Sequence, residues 1–391
     1  MDKKSILHLT TVTNVVAGAE LLILELTRHQ KEMFSDYQIC VACIKSKGYF
    51  NERLDAAGIE NYNLNAKKNI FFIFAFFKLV MLVKRKKTKI VHTHLFHGGI
   101  MGAFLKLFCP SVTLIHTRHY SDIYTGIKRN QIRYFLDKYL VNKAADVIIA
   151  ISNMVEDTLV NEGVSKSKIV QISNGIPSEI DTDYEKLMDD KNKLLLIEIN
   201  QKIMSYKKKY PDAIIMYCLG VFRKGKGQAN VLNLMYELTK RNINALCVVI
   251  GDGVEKKRIL GLIEKYELKD NVLLAGFQNH PYAFVELCDI FLHFPDEEGF
   301  GLVVAEAMRE KKVVIASRIG GIEGIVDDGV NGFLVSPTLI SEQLASLEKV
   351  KQMSNIDKKE FLDKACDKFI NNFTIDRFLK GHADLYKRIL S

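Results

Sequence analysis

Two glutamates lie eight positions apart in the segment "DEEGFGLVVAEAM", which covers residues 296–308. Glu298 precedes the turn-forming residues Gly299, Phe300 and Gly301, and Glu306 follows in an apolar stretch with helical spacing. Sugar hydroxyls donate hydrogen bonds, and a carboxylate accepts two of them well. A buried acid also needs a partner, which either a backbone N–H or a ligand can supply. The pair therefore indicates a site for a polyhydroxylated ligand, with a backbone-paired buried acid as the alternative for Glu306.

A basic, glycine-rich loop is the second group of residues suited to chemistry. The segment "GVFRKGKGQ" (220–228) ends a predicted strand and carries Arg223, Lys224 and Lys226 before a predicted helix. Cations and exposed backbone amides at the start of a helix suit a diphosphate. A solvated basic loop is the alternative.

A glycine near the N-terminus has a similar setting. Gly18, in "AGAELLILEL" (17–26), opens a predicted helix shortly after the first predicted strand. Without a side chain, it lets backbone N–H groups meet an anion at the positive end of the helix dipole. The alternative is an ordinary turn glycine.

Several other kinds of site are not supported. The chain lacks both the GxxxxGK[ST] phosphate loop and a GxGxxG motif after its first strand, which argues against P-loop and dinucleotide enzymes. The acidic "DTD" at 181–183 could hold a metal, but no apolar strand precedes it, so a solvated turn is favoured. Cys40 and Cys43 have CxxC spacing within a predicted strand, which favours buried thiols over a redox or metal site. No RNA- or DNA-binding module is present, so no nucleic acid partner is expected.

The order of motifs along the whole chain resembles that of retaining GT-B glycosyltransferases of family 4. "EGFGLVVAEAM" is similar to the Glu–seven residues–Glu signature of that family. The other motifs follow in the family's order: "AGAE" (17–20), "HTHL" (92–95), "HTRHY" (116–120), "SNGI" (173–176), "GVFRKGKG" (220–227), "VVIGDG" (248–253), "LAGF" (274–277), "CDIFLHF" (288–294), "IGGIEGIV" (319–326) and "GVNGFLV" (329–335).

The resemblance implies a donor site for a nucleotide sugar. Glu306 would bind the ribose hydroxyls, and Glu298 with the amides of residues 299–301 would hold the transferred sugar. Lys226 would neutralise the diphosphate, and Gly18 would approach it from the other domain.

The resemblance also implies a catalytic histidine and a mechanism. His119 would lie beside the sugar near the reacting centre, and His116 is the second choice for this role. Such enzymes typically need no metal or other cofactor, because the cationic loop stabilises the leaving group. In the implied front-face mechanism the leaving diphosphate takes the acceptor proton, so no separate base is expected.

Three positions depart from the family's pattern. Val221 stands where the family usually has arginine, and Arg223 is the expected substitute. The family's pair of small residues "GG" is "AG" at 17–18, and "GGIPE" is matched by "GGIEG" at 320–324, without the proline. These departures concern the geometry of donor binding and leave the two glutamates in place.

Short apolar strands that alternate with helical patterns predict an α/β fold. Eleven strands are predicted, six in the first half and five in the second, each ending in turn residues at the edge where such sheets bind ligands. We expect two doubly wound Rossmann-like domains that face each other across a cleft, the GT-B arrangement. The predicted boundaries are 1–180 for the first domain, completed by a C-terminal helix at about 375–391, 181–212 for a linker and helix, and 213–374 for the nucleotide-sugar-binding domain.

The positive charge is concentrated in the first half of the chain. Of the net charge of +9, residues 1–180 contribute 24 Lys and Arg against 15 Asp and Glu, whereas residues 181–391 hold 31 of each. Such asymmetry indicates that the first half faces an anionic surface or ligand. The absence of a visible signal peptide, and seven scattered cysteines, predict a cytoplasmic protein.

The segment "NIFFIFAFFKLVMLVKRKKTK" (69–89) combines five phenylalanines with five basic residues near its end. It is shorter than the roughly 20 apolar residues that span a bilayer. One hypothesis is a helix buried against the first sheet. The other is a helix that lies in an anionic membrane surface and leads the enzyme to a lipid-linked acceptor.

The resemblance implies a glycosyltransferase that moves a sugar from a UDP- or GDP-sugar to an acceptor hydroxyl. The resemblance favours a role in bacterial surface glycan assembly, with a glycan or lipid-linked glycan as acceptor. Two alternatives stay open. One is a catalytically weak nucleotide-sugar-binding subunit, motivated by Val221, and the other is a GT-B epimerase or phosphorylase.

Overall fold

The computed structural model describes residues 3–11, 18–45, 48–66, 71–119, 128–179 and 188–391. The acidic "DTD" at 181–183 lies outside these residues. Contacts within the chain divide it into two compact units. Unit 1 comprises Met1–Gly175 with Ile375–Ser391, and unit 2 comprises Ile176–Thr374.

Each unit contains one parallel β-sheet. The sheet of unit 1 has the strand order β3-β2-β1-β4-β5-β6-β7, and the sheet of unit 2 has the order β10-β9-β8-β11-β12-β13. The strands of unit 1 are β1 (Lys4–Thr10), β2 (Tyr37–Cys43), β3 (Glu60–Asn63), β4 (Thr88–His94), β5 (Thr113–Arg118), β6 (Val147–Ala150) and β7 (Ile169–Gln171). Those of unit 2 are β8 (Ile214–Leu219), β9 (Ala245–Ile250), β10 (Val272–Gly276), β11 (Ile290–His293), β12 (Val313–Ser317) and β13 (Phe333–Val335).

Helices connect successive strands in both units, as parallel pairing requires. In unit 1 they are α1 (Gly18–Met33), α2 (Tyr49–Ala56), α3 (Phe71–Arg85), α4 (Leu95–Phe108), α5 (Lys128–Leu136), α6 (Asn142–Ala144) and α7 (Asn153–Asn161), with a π-helical turn (Asp137–Val141) between α5 and α6. In unit 2 they are α8 (Asp190–Lys209), α9 (Gln228–Lys240), α10 (Lys256–Lys265), α11 (Tyr282–Val285), α12 (Leu302–Arg309), α13 (Ile322–Ile325), α14 (Ile340–Gln352) and α15 (Asn355–Asn372). The last helix, α16 (Ile375–Leu390), belongs to unit 1.

The central strands are buried on both faces, which explains their continuous apolar sequences. In β8 five successive residues, Ile214 to Cys218, are buried. One face of the unit 2 sheet packs against apolar residues of α9, α10 and α14. In unit 1, α3 and α4 cover one face of the sheet, and α1 and α2 pack against apolar residues at β2. These layers hold the carboxyl ends of the strands, where the predicted site residues lie.

Two edge strands, β3 and β13, were not predicted from the sequence. β3 has the sequence ENYN and is only partly buried, so it lacks an apolar run. β13 has only three residues, Phe333–Val335. Both pair with a longer neighbour, which shows that their conformation depends on the sheet rather than on their own composition.

The segment predicted as a linker and helix also differs in its bounds. The division between the units falls after Gly175, and α8 (Asp190–Lys209) is a part of unit 2. Asp189 caps this helix by accepting a hydrogen bond from the backbone N–H of Asn192 at 2.8 Å.

All seven cysteines are free thiols. Cys40 and Cys43 lie within β2, and burial raises the pKa of each thiol to about 12. Both are therefore protonated at neutral pH, which disfavours redox chemistry at the CxxC spacing.

Candidate functional site

The loop between β11 and α12 holds Glu298 next to a cation and an imidazole. Glu298 Oε2 lies 2.7 Å from Lys226 Nζ and 3.4 Å from His293 Nε2. The side chains of Lys226 and Glu298 are 21% and 15% exposed, so the ion pair is shielded but reachable by a ligand. The structure thus brings together two residues that are 72 positions apart in the sequence.

The environment of Glu298 keeps its carboxyl ionised. Burial alone would raise its pKa, but the hydrogen bond with His293 and the charge of Lys226 outweigh burial and lower the pKa to about 2. Glu298 is therefore an acceptor for hydroxyl groups at every pH near neutrality and is no candidate for a general acid.

A second loop fixes the backbone that carries Glu298. The N–H of Gly321 donates to the carbonyl of Glu298 at 3.0 Å. A Cβ atom on Gly321 would lie 2.3 Å from the carbonyl oxygen of Gly299, closer than any side chain tolerates. Glycine is therefore required at position 321 for the two loops to pack. This requirement does not depend on the proline of the family's pattern, which this chain lacks.

The aromatic residue of the predicted turn faces the protein interior. Phe300 is 5% exposed, and its ring centroid lies 5.6 Å from that of Phe373. A contact of Phe300 with a donor would therefore come from its backbone. Gly301 follows with a positive φ of 103° and is the N-cap of α12, a conformation that favours glycine.

Glu306 lies on α12 and is half-buried between buried neighbours. Burial raises the pKa of its carboxyl to about 7, although the charge of Arg309 and a hydrogen bond with Tyr282 act in the opposite direction. The Arg309 guanidinium carbon lies 4.7 Å from the centre of the Tyr282 ring, and Arg309 Nε donates to Glu310 at 2.8 Å. The carboxyl is thus poorly stabilised as an anion by its protein surroundings, and hydroxyl donors from a ligand would favour its ionised form.

The basic loop joins β8 to α9 next to the Glu298 loop. Arg223 and Lys224 are exposed, whereas Lys226 is partly buried by its ion pair. The backbone N–H of Asp296 donates to the carbonyl of Gly225 at 2.9 Å, which ties the two loops together. Arg223, Lys226 and Glu298 therefore belong to one edge of the unit 2 sheet.

In unit 1, Gly18 begins α1, with the buried Glu20 in the first turn of the helix. His119 follows β5 directly, and burial lowers its pKa to about 4, so its imidazole is neutral at pH 7. Its Nε2 is buried and has no hydrogen-bond partner among the described residues.

His116, the second choice, is held inside the unit. Its Nδ1 lies 2.9 Å from Thr93 Oγ1, and a Cβ atom on Gly99 of α4 would lie 2.9 Å from its ring. Burial together with the charge of Arg118 lowers the pKa of His116 to about 3. These contacts favour a packing role for His116 and leave His119 as the better candidate.

Three residues near the two glutamates were not singled out from the sequence. His293 contacts Glu298, and Tyr282 and Arg309 surround Glu306. His293 lies in the quoted motif "CDIFLHF", and its place at the carboxyl end of a strand was the available signal. No motif marks Tyr282 or Arg309, whose contacts depend on how α11 and α12 pack.

Comparison with known proteins identifies the family. Residues 16–180 match the family model "Glycosyltransferase Family 4", and residues 200–372 match "Glycosyl transferases group 1". The chain is 23% identical to the N-acetyl-alpha-D-glucosaminyl L-malate synthase of Bacillus anthracis, with 80% of this chain and 78% of the relative covered. It is 24% identical to the UDP-Gal:alpha-D-GlcNAc-diphosphoundecaprenol alpha-1,3-galactosyltransferase of Escherichia coli, covering 79% and 77%.

A solved structure shows the same fold. The Anabaena protein Alr3699/HepE, solved in complex with UDP, superposes with a TM-score of 0.78 at 18% identity, covering 98% of this chain and 100% of that chain. Both sheets are parallel, and the superposition includes both units. The chain therefore belongs to the group 1 glycosyltransferases of family 4 and has the GT-B fold.

Proposed function

We propose that the chain transfers a hexose from a nucleoside diphosphate sugar to an acceptor hydroxyl with retention of configuration at the anomeric carbon. The observation that carries the proposal is the Lys226–Glu298 ion pair of 2.7 Å, which lies just before the helix that bears Glu306. One cation for the diphosphate and two carboxylates for the hydroxyls match the chemistry of such a donor. The UDP in the Anabaena structure and the UDP-Gal in the name of the E. coli relative favour UDP over GDP.

Each charged residue has a separate part in the reaction. The bond between the anomeric carbon and the β-phosphate oxygen breaks, and the acceptor oxygen forms its bond to the same face of the sugar. The acceptor proton passes to the departing β-phosphate. Lys226 and Arg223 stabilise the charge on that phosphate, an effect worth about 3–4 kcal/mol for one donor, so transfer requires no metal. His119 hydrogen-bonds the transferred sugar.

The donor is identified first by binding and then by turnover. Thermal-shift screening against UDP- and GDP-sugars should single out one base, because ligand at 100 times its Kd adds about 2.7 kcal/mol to stability. NMR of the chosen donor, labelled at the anomeric carbon and kept in EDTA, should then show release or transfer of sugar with the α configuration retained. Inverted product, or activity only with added metal, contradicts the proposal.

The same spectra distinguish the alternatives. Binding without any turnover would support the weak-subunit hypothesis. Epimerised nucleotide sugar would identify an epimerase, and dependence on inorganic phosphate would identify a phosphorylase.

For the acceptor, the observation that matters is an exposed apolar surface on unit 1, which we name the α3–α4 face. Helix α3 packs Ala75, Leu79 and Val83 into the core but exposes four apolar side chains on its other side. Phe76 joins the two helices, with its ring centroid 5.3 Å from that of Phe108 on α4. The exposed members of the face are Ile73 (62%), Phe74 (65%), Phe77 (51%), Met81 (64%), Phe104 (42%), Leu107 (73%) and Phe108 (52%).

The α3–α4 face carries an excess of positive charge. Residues 61–121 contain no Asp or Glu but ten Lys and Arg. Lys78, Lys84 and Arg85 are exposed on α3 itself. In the described part of the chain no helix is long and apolar enough to cross a membrane. Two acids lie near these helices, where Glu60 pairs with Lys86 and Asp146 pairs with Lys106, but cations predominate. An exposed apolar face with an excess of cations suits the surface of an anionic bilayer.

We infer that unit 1 docks on the anionic cytoplasmic leaflet and that the acceptor is a lipid-linked glycan. The E. coli relative, whose name specifies a diphosphoundecaprenol-linked acceptor, supports this choice, whereas the B. anthracis relative is named for L-malate. The proposed place of action is therefore peripheral, in bacterial surface glycan assembly.

Flotation with liposomes tests the docking. The parent should float with vesicles that contain anionic lipid at low salt and less at high salt, because each cation near the surface adds about 1 kcal/mol. Phe74→Ser with Phe77→Ser should abolish flotation. The matched control is Leu194→Ser with Ile197→Ser, which changes two exposed apolar residues of α8 (67% and 52%) outside the face. Failure of the parent to float at low salt would leave a soluble acceptor as the better hypothesis.

A further inference from the structure

Three histidines form a buried group in unit 1, which we name the histidine cluster: His8, His92 and His94. His8 on β1 is in register with His92 on the neighbouring β4, and His94 follows on the same face. Their relative exposures are 0%, 0% and 3%, and each offers a ring nitrogen within 4.8 Å of the others. Three imidazoles so close together and so completely buried are not needed for apolar packing.

Surrounding residues orient the three rings. His8 Nε2 lies 2.7 Å from Gln30 Oε1 of α1, and its Nδ1 lies 3.0 Å from His94 Nε2. His92 contacts Tyr386 OH of α16 at 2.7 Å and Thr117 Oγ1 at 2.6 Å. In a metal-binding histidine one ring nitrogen keeps an outer hydrogen bond while the other binds the ion. An ion here would therefore replace the bond between His8 and His94 and one of the two bonds of His92.

Two polar atoms at the cluster are unsatisfied. His94 Nδ1 and Thr10 Oγ1 are buried and lack a hydrogen-bond partner among the described residues. Thr10 is two positions after His8 on the same strand and the same face. A buried polar atom without a partner calls for an explanation, such as a water or an ion at the site.

We propose that the histidine cluster binds one transition-metal ion, with Zn²⁺ as the expected species. Three imidazoles favour zinc, copper or nickel over magnesium or calcium, and three protein ligands leave a fourth position open. A buried divalent cation needs a compensating anion, which the open fourth position can accept from solution. Tyr386, whose hydroxyl lies 2.7 Å from His92 Nδ1, borders the cluster.

The ion would join β1 to β4 and, through Tyr386, hold the C-terminal helix α16 on unit 1. The ring centroids of His94 and His119 lie 5.8 Å apart, so the test reads metal binding and not turnover. The histidine cluster belongs to unit 1 and the diphosphate site is proposed in unit 2, so either proposal can fail without the other.

The test uses the full chain without a histidine tag. After removal of metals with a chelator and addition of Zn²⁺, elemental analysis should find one ion per chain, and holoprotein should melt at a higher temperature than apoprotein. Co²⁺ in place of Zn²⁺ should give the intense visible absorption of a tetrahedral site. A chain that retains no ion after Zn²⁺ addition overturns the proposal and leaves water as the occupant.

Variants locate the site. Gln30→Leu removes the hydrogen bond to His8 Nε2 without removing a ligand and should weaken Zn²⁺ binding about 10- to 100-fold, and His94→Ala should weaken it further. The matched control is His293→Ala, which removes a buried histidine of unit 2. Equal loss of Zn²⁺ binding in His94→Ala and His293→Ala contradicts the assignment. If His94→Ala does not fold, the Zn²⁺ titration of Gln30→Leu and the Co²⁺ spectrum of the parent still decide whether the histidine cluster binds the metal.

Discussion

Lys226 Nζ lies 2.7 Å from Glu298 Oε2, so the residue proposed for the diphosphate and the residue proposed for the sugar neutralise each other. A diphosphate that enters must draw Lys226 away from Glu298. The ion pair therefore competes with nucleotide binding. It also fixes the positions of both side chains before a sugar binds.

Substitutions of Lys226 and of Glu298 should affect the binding of the nucleoside diphosphate alone in different ways. Lys226→Met should weaken it and lower turnover more than tenfold, because a charged hydrogen bond is worth about 1.5–3 kcal/mol. Glu298→Gln should leave this affinity equal or higher, since Lys226 is released, and should still lower turnover roughly ten- to a hundredfold. Calorimetry and a donor-turnover assay measure both quantities. A similar loss of nucleotide affinity in both variants would show that Glu298 does not act on the sugar.

Arg223 should take over the phosphate contact of the arginine that the family usually has at the position of Val221. Arg223→Ala is expected to reduce turnover by a factor comparable to that of Lys226→Ala. Lys224→Ala serves as control, because Lys224 is an equally exposed cation of the same loop and is not proposed to contact the phosphate. Undiminished turnover in Arg223→Ala would leave Val221 without a substitute and would favour the weak-subunit hypothesis.

The close packing behind the Glu298 loop predicts different effects for two glycines. Gly321→Ala would place a Cβ atom 2.3 Å from the carbonyl oxygen of Gly299 and must displace the loop. We expect a loss of about 1–3 kcal/mol in stability and a more than tenfold loss of turnover. A Cβ atom on Gly324, three residues further along, would have no atom within 4 Å. Gly324→Ala should therefore change stability and turnover much less than Gly321→Ala does. Thermal unfolding and turnover of the two variants provide the comparison, and equal behaviour would contradict the packing argument.

Much of the fold follows from the sequence, because apolar strands with turn residues at their ends fix the sheets and the edge that carries the site. The edge strands β3 and β13 could not be predicted, since four polar or three apolar residues adopt β structure only when a neighbour is present. The membrane hypothesis for α3 could not be decided from periodicity, because the helix is apolar on almost every side and its exposed side depends on the packing of α4.

Only the site residues that belong to local sequence motifs could be predicted. The spacing of Glu298 and Glu306 marks both acids. His92 and Tyr386, however, are 294 positions apart, and no local pattern joins them. The same holds for Tyr282 and Arg309 around Glu306, whose contacts arise only in the folded unit.

Donor binding should depend on pH through Glu306, whose pKa burial raises to about 7. Ribose hydroxyls donate to the ionised carboxylate, so binding releases a proton below pH 7 and affinity rises with pH. Between pH 6 and pH 8 the ionised fraction, and with it the affinity for an intact nucleotide sugar, should rise about tenfold. An intact sugar donor is used because its diphosphate does not titrate in this range. A slope that persists in Glu306→Gln would assign the titration to another group.

Glu306→Gln also tests the central claim, that unit 2 holds the nucleotide of a sugar donor, most directly. Calorimetric titration of the nucleoside diphosphate at pH 8 compares this variant with the parent and with Glu348→Gln, an exposed acid on α14. Loss of one charged hydrogen bond costs about 1.5–3 kcal/mol, so Glu306→Gln should bind roughly ten- to a hundredfold more weakly while Glu348→Gln matches the parent. Unchanged affinity in Glu306→Gln, with the fold intact, would contradict the assignment of the donor site.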